Sequence, residues 1–273
     1  MFPRRRQPRI TGLSINKLIP NILTMLALCA GLTSIRFGLD GNWQSAVVSI
    51  LLAGVLDGMD GRVARLLHGT SKFGAELDSL SDFVSFGVAP AMLLYFWTMR
   101  GAGGLGWALV LLFSVCCALR LARFNTMLGE PDLPPFAYNF FTGVPAPAAA
   151  VLVLLPMIVS FQTDPDSLFR SSSVNAVGLV LVSFLMVSKT PTYSGKRFKV
   201  PNAYVLPVLL LVGLLAAFLV TEPWATITVV GSLYAISIPI SVRAFARLKK
   251  QAQNLRETDA SPAENHNENK ANG

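Results

Sequence analysis

The chain has 273 residues, of which 52% are hydrophobic and only 14% charged, and its mean hydropathy is +0.53. So few charges cannot cover a soluble protein of this size, and the composition also excludes extensive disorder, a collagen-like repeat and a disulfide scaffold. The net charge of +8 reads as basic residues gathered at the inner face of a membrane, not as a nucleic-acid surface, and no nucleic-acid partner is expected.

Eight apolar segments follow in chain order, at 19–37, 43–65, 73–98, 104–123, 144–162, 173–188, 203–220 and 224–242. Each lies near the ~20 residues that cross a bilayer, the sixth being the shortest. The pattern predicts an all-α polytopic membrane protein with about eight transmembrane helices. Residues 1–18 form a basic N-terminal segment, 19–248 the transmembrane domain, and 249–273 a disordered tail with a single Leu and no aromatic residue. No small-residue cleavage site follows the first span, which is read as retained. Cys29, Cys116 and Cys117 fall in apolar runs without metal-ligand spacing and read as small core residues.

An even number of spans puts both termini on one side. With that side inside, 20 of the 23 Lys and Arg residues sort to inner segments, leaving Arg36, Arg100 and Arg170 outside. The positive-inside rule predicts such a bias.

Five of the 15 acidic residues lie between positions 57 and 82, at the inner ends of spans two and three. Asp57 and Asp60 are spaced i, i+3, and Asp78 and Asp82 i, i+4, so each pair occupies one helix face. Leu66 to Lys72, with Gly69, can turn the chain so that the faces meet. Two carboxylates ~4 Å apart repel by roughly 4 kcal/mol at an effective dielectric of 20, so the four need protons or cations. Oxygen ligands without His or Cys favour Mg²⁺, Mn²⁺ or Ca²⁺ over zinc. Gly54, Gly58, Gly61 and Gly74 surround the acids; small residues there serve helix packing and also let a phosphate ligand approach the backbone, where Arg65 offers a planar cationic fork. Glu76 lies off the acidic stripe and His68 in the turn, so neither is a candidate for the chemistry. Periodic intramembrane acids alone also permit an ion-coupled transporter.

Residues 57–82 read DGMDGRVARLLHGTSKFGAELDSLSD. The spacing Asp57-x2-Asp60-Gly61-x2-Ala64-Arg65-x8-Gly74-x3-Asp78-x3-Asp82 resembles the signature of the CDP-alcohol phosphatidyltransferases, with every motif position filled. Further segments, Ser81 to Pro90, Leu119 to Asn125, Phe141 to Ala150 and Ser188 to Lys196, are similar to the phosphatidylserine synthases within that family. The resemblance covers roughly residues 14–220. It implies transfer of the phosphatidyl group from CDP-diacylglycerol to L-serine with release of CMP, in a homodimer embedded in the lipid bilayer of the cell (inner) membrane with the active site facing the cytoplasm. It also implies a divalent cofactor, two Mg²⁺ or Mn²⁺ ions, held by Asp57, Asp60 and Asp78, with Asp82 as general base or shared ligand. Gly61, Ala64, Arg65 and Gly74 would line the CDP pocket, joined by Asn21 and Thr24 from Pro20-Asn21-x-Leu23-Thr24 in span one.

Serine carries a carboxylate and an ammonium. Arg120, Arg123, Lys189 and Lys196 all sort to the inner side and are the candidates for binding it. A guanidinium fork suits the carboxylate, which favours the two arginines. Another acceptor, glycerol 3-phosphate or an inositol phosphate, would require a site for an additional phosphate. No covalent nucleophile is evident, which favours direct attack by the hydroxyl.

Overall fold

The computed structural model describes residues 15–127, 140–163, 168–188, 191–193, 201 and 204–243. Among these are eight long helices, here α1 (Ile15–Leu39), α2 (Trp43–Leu66), α3 (Lys72–Trp97), α4 (Gly103–Met127), α5 (Ala146–Ser160), α6 (Ser172–Val187), α7 (Val205–Thr221) and α8 (Pro223–Arg243). They coincide one for one with the apolar segments of the sequence. Two three-residue strands, β1 (Phe140–Thr142) and β2 (Pro191–Tyr193), pair antiparallel. The protein is therefore an all-α polytopic membrane protein, with one small ladder that the hydropathy pattern does not reveal. The expected N-terminal basic segment up to residue 14 and the tail lie outside the described residues.

Four helices are long and apolar enough to cross a membrane by length and composition: α1, α3, α4 (with the turn before it) and α8. α2 is 24 residues long, but its C-terminal half carries Asp57, Asp60, Arg62 and Arg65. α5, α6 and α7 have 15, 16 and 17 residues. At 1.5 Å per residue they rise roughly 22–26 Å, somewhat less than the ~30 Å hydrocarbon thickness. The chain's chemistry sets these ends. Pro145 precedes α5 in an extended conformation, and Ser188 leaves α6 extended at φ −61°, ψ 156°.

The chain divides into two compact units, Met1–Leu121 and Ala122–Gly273. In the first, α1 packs on α2 and on α3. Between helices in lipid there is no water to escape from, so association rests on close packing and interhelical hydrogen bonds. Both are present. A Cβ on Gly31 of α1 would lie 2.8 Å from the Ser85 Cα, so only glycine lets α3 approach there. Ser81 Oγ donates to the Thr24 carbonyl at 3.2 Å and Ser85 Oγ to the Ala27 carbonyl at 3.3 Å, tying α3 to α1 at two successive turns. Phe86, Leu93, Leu94 and Phe113 fill the interior of this unit. In the second unit, Leu154, Met157 and Ile158 of α5 and Leu179 and Met186 of α6 are buried.

α3 is not a uniform α-helix. Residues Phe83–Val88 form a π-helical segment directly after Asp82. Such segments are rare and occur mostly at functional sites, because the extra residue re-aims the side chains beside it.

Candidate active site

α2 and α3 form a hairpin whose turn carries the site. Leu67 closes α2, and His68 then takes a φ of 50°, a left-handed conformation that reverses the chain and leaves its imidazole exposed. Ser71 starts α3 as its N-cap, accepting a hydrogen bond from the Gly74 N–H at 3.0 Å. The turn thus sets the register in which the two acidic faces meet.

Each of Asp57, Asp60 and Asp78 places a carboxylate oxygen within 4.8 Å of the others. Three charges so spaced repel by roughly 3–4 kcal/mol per pair at an effective dielectric of 20. The Asp57 side chain is also within hydrogen-bonding reach of both Asp78 and Asp82, so the fourth carboxylate joins the cluster through Asp57. Asp78 Oδ1 and Asp82 Oδ1 are buried without a hydrogen-bond partner. Buried carboxylate oxygens left in this state are costly, and several convergent ones fit a hard divalent cation. No His or Cys belongs to the cluster, which disfavours zinc.

Asp60 is the best-fixed member. It is 5% exposed, and Thr24 Oγ1, itself 4% exposed, lies 2.6 Å from Asp60 Oδ2 and 3.1 Å from the Pro20 carbonyl. A ligand carboxylate oriented by an outer hydrogen bond is a common feature of metal sites.

Beside the acids is a cavity of about 170 Å³. α1 contributes Pro20, Asn21 and Thr24 to its wall, and α2 contributes Asp60, Gly61 and Ala64. The turn and the start of α3 complete it with Thr70, Ser71, Gly74 and Asp78 among others. The glycines have distinct roles. A Cβ on Gly61 or Gly58 would meet nothing within 4 Å, so these positions leave open space. A Cβ on Gly74 would lie 2.9 Å from Asn21 Oδ1, so glycine there lets the asparagine reach the pocket wall. The first turn of α3 opens on the same cavity, and the positive end of its helix dipole favours an anion there.

Of the residues that the sequence nominated for the nucleotide, Asn21, Thr24, Gly61, Ala64 and Gly74 line this cavity; Arg65 does not, and is exposed on the last turn of α2. Of the candidates for serine, Arg120 is half-buried and close enough to Asp82 to interact with its charge. Arg123 donates from Nη1 to the Val187 carbonyl at 2.7 Å. Lys189 and Lys196 lie outside the described residues. Sequence reasoning missed Ser71, Thr70 and Ser81. The first two had a signal, since Thr-Ser ahead of an apolar helix marks an N-cap. Ser81 had none, because its partner is a main-chain carbonyl distant in sequence.

The family model for CDP-alcohol phosphatidyltransferase matches residues 17–187, and a second, CDP-alcohol phosphatidyltransferase 2, matches residues 203–239. The CDP-diacylglycerol–serine O-phosphatidyltransferase of Mycobacterium leprae (strain TN) is 39% identical over 242 residues, covering 89% of this chain and 79% of the relative. That of Mycobacterium tuberculosis (strain ATCC 25618 / H37Rv) is 38% identical over 228 residues, covering 84% and 79%. The Helicobacter pylori (strain ATCC 700392 / 26695) enzyme of the same name is 35% identical over 224 residues, covering 80% and 88%. With Asp60, Gly61, Ala64, Gly74 and Asp78 of its signature lining one cavity and the match running through six of the eight long helices described, the chain belongs to the CDP-alcohol phosphatidyltransferase family.

Proposed function

We propose that this protein transfers the phosphatidyl group of CDP-diacylglycerol to the hydroxyl of L-serine, giving phosphatidylserine and CMP. The observation that carries the reading is the four-carboxylate cluster with Arg120 beside Asp82, in a chain whose relatives at 35–39% identity bear the name of that activity.

The residues divide the work. Asp57, Asp60 and Asp78 would hold divalent cations, on which the family generally depends. Two Mg²⁺ or Mn²⁺ ions would balance the four negative charges of the carboxylates. Held by these residues, such ions would supply positive charge to offset the diphosphate and the leaving phosphate. Asn21, Thr24, Gly61, Ala64 and Gly74 bind the cytidine-phosphate part in the cavity, with Arg65 attracting the anion from the rim. Asp82 accepts the proton of the serine hydroxyl as the serine oxygen bonds to the phosphorus bearing diacylglycerol and the bond from that phosphorus to the CMP oxygen breaks. Arg120 is the candidate for the serine carboxylate, since a guanidinium next to the base would deliver the hydroxyl to it. Lys189 and Lys196 remain candidates for the same role. The sorting of basic residues supports a cytoplasmic site in the cell membrane; the homodimer follows from the family resemblance.

The test is purified protein in mixed micelles with CDP-diacylglycerol, Mg²⁺ or Mn²⁺ and a panel of acceptors. CMP is expected with serine and not without an acceptor. Faster release with glycerol 3-phosphate would overturn the acceptor while leaving the transferase reading intact. Transport in the absence of CDP-diacylglycerol would overturn both.

A further inference from the structure

Of two segments singled out in the sequence, Phe141 to Ala150 and Ser188 to Lys196, no described residue is among those that line the cavity or form the acidic cluster. Parts of both meet at the C-terminus of α6. A helix end leaves its last carbonyls without intrahelical donors; here Ser188 bonds locally to the Phe184 and Leu185 carbonyls, and two further donors come from elsewhere. Val144 N–H donates to the Leu185 carbonyl at 3.2 Å, and Arg123 Nη1 donates to the Val187 carbonyl at 2.7 Å. Gly143, at φ +82°, lies so close that a Cβ would sit 2.6 Å from the Met186 carbonyl oxygen and 3.0 Å from that of Ser188. Only glycine satisfies both the backbone angle and the approach. The chain on either side then pairs, β1 with β2, in the register Phe141 to Thr192.

We infer that Arg123 is a positioning residue, not a serine ligand: it locks the end of α6, and with it β2, to the turn of α4 that follows Arg120. A guanidinium at a helix C-terminus is favoured by the helix dipole as well as by the hydrogen bond. Arg120 and Arg123 are three apart on the unbroken helix α4, about 4.5 Å along its axis. The clasp therefore ties the strand that follows Lys189 to the C-terminal turns of α4, one turn beyond Arg120 along the same helix. This rests on the transferase reading, and wild-type CMP release with serine tests that reading separately.

The experiment measures kcat and the KM of each substrate for Arg123→Ala and Gly143→Ala. Position 143 has no side chain with which to touch serine. If Arg123 positions, both variants lose turnover with the same division between kcat and serine KM. The loss is roughly 10- to 100-fold, the scale set by ångström misplacement of reacting groups, and the double variant is no worse than the poorer single. A second arm pairs Phe141→Cys with Thr192→Cys in Arg123→Ala, with Cys29→Ala to confine oxidation. Directly paired antiparallel residues have Cα atoms about 5 Å apart, within disulfide range. The bridged form is expected to regain most of the lost turnover and the reduced form none. A rise in serine KM in Arg123→Ala that Gly143→Ala does not share, or bridging that restores nothing, overturns the inference. If Gly143→Ala does not fold, the bridge decides alone.

Discussion

The α2–α3 hairpin and the α7–α8 hairpin are both pairs of apolar helices joined by a few residues, yet they use their sequences differently. In the first, the connecting end is the chemical end. Four carboxylates sit in the last turns of α2 and the first turns of α3, and every nearby device serves them: glycines that leave space, a threonine that fixes Asp60, serines that tie α3 to α1. In the second, α7 contains no buried residue at all, and its leucines, such as Leu206, Leu209 and Leu210, are exposed. Such a surface belongs against hydrocarbon. A helix hairpin in a membrane holds charge only where neighbouring backbone and small side chains compensate for it. The α7–α8 pair has only Glu222 in its connection and Arg243 at the end of α8, with no cluster of like charges to support. The two hairpins also fall under separate family models.

If that contrast is right, substitutions in the two hairpins should differ by orders of magnitude. The largest effect is expected from Asp57→Asn, Asp60→Asn and Asp78→Asn, each of which should abolish CMP release while the protein still inserts. Partial recovery at raised Mg²⁺ or Mn²⁺ would mark the residue as a ligand, because a weakened site still fills by mass action. Near-normal turnover at saturating metal would remove that residue from the set.

Thr24→Val comes next. It keeps the shape of the side chain but removes the donor 2.6 Å from Asp60 Oδ2. Outer hydrogen bonds of this type are typically worth 10–100-fold in metal affinity, so the half-saturating metal concentration should rise by about that factor. An unchanged metal curve would show that Asp60 needs no orientation.

Gly74→Ala should raise the CDP-diacylglycerol KM more than the serine KM, because its Cβ would displace Asn21 from the cavity wall. Equal rises would place the effect on folding instead. At the small end, Leu209→Ala and Leu210→Ala on α7 should leave kcat and both KM values within about twofold, surface substitutions commonly lying within ~0.5 kcal/mol. A large loss there would mean that α7 is covered by protein in the working enzyme.

The same contrast explains what the sequence could and could not disclose. Helix positions follow from hydropathy, because a bilayer admits little else. The acidic cluster follows from i, i+3 and i, i+4 spacing on either side of a short turn, since helical periodicity alone puts Asp57 with Asp60 and Asp78 with Asp82. Asn21, Thr24, Gly61, Ala64 and Gly74 of the cavity wall could be named from the sequence, whereas Thr70 and Ser71 of the turn were not, and Arg65 lies outside the wall. What stayed hidden depends on partners far away in the chain. Ser81 and Ser85 bond to carbonyls of α1, and backbone acceptors carry no side-chain signature. The π segment after Asp82 and the β1–β2 ladder occupy too few residues to impose a period. Arg123 looked like a carboxylate fork because its neighbours are apolar and basic, while its observed acceptor is the last carbonyl of a helix 64 residues away.

The most direct measurement places metal affinity and turnover of Asp82→Asn side by side. The substitution preserves shape but removes the proton acceptor. If Asp57, Asp60 and Asp78 hold the cations and Asp82 takes the serine proton, metal and CDP-diacylglycerol should bind nearly as in the wild type, while kcat falls by roughly 10²–10⁴, the range for loss of a general base. Turnover within a few-fold of wild type at full metal occupancy would contradict that account.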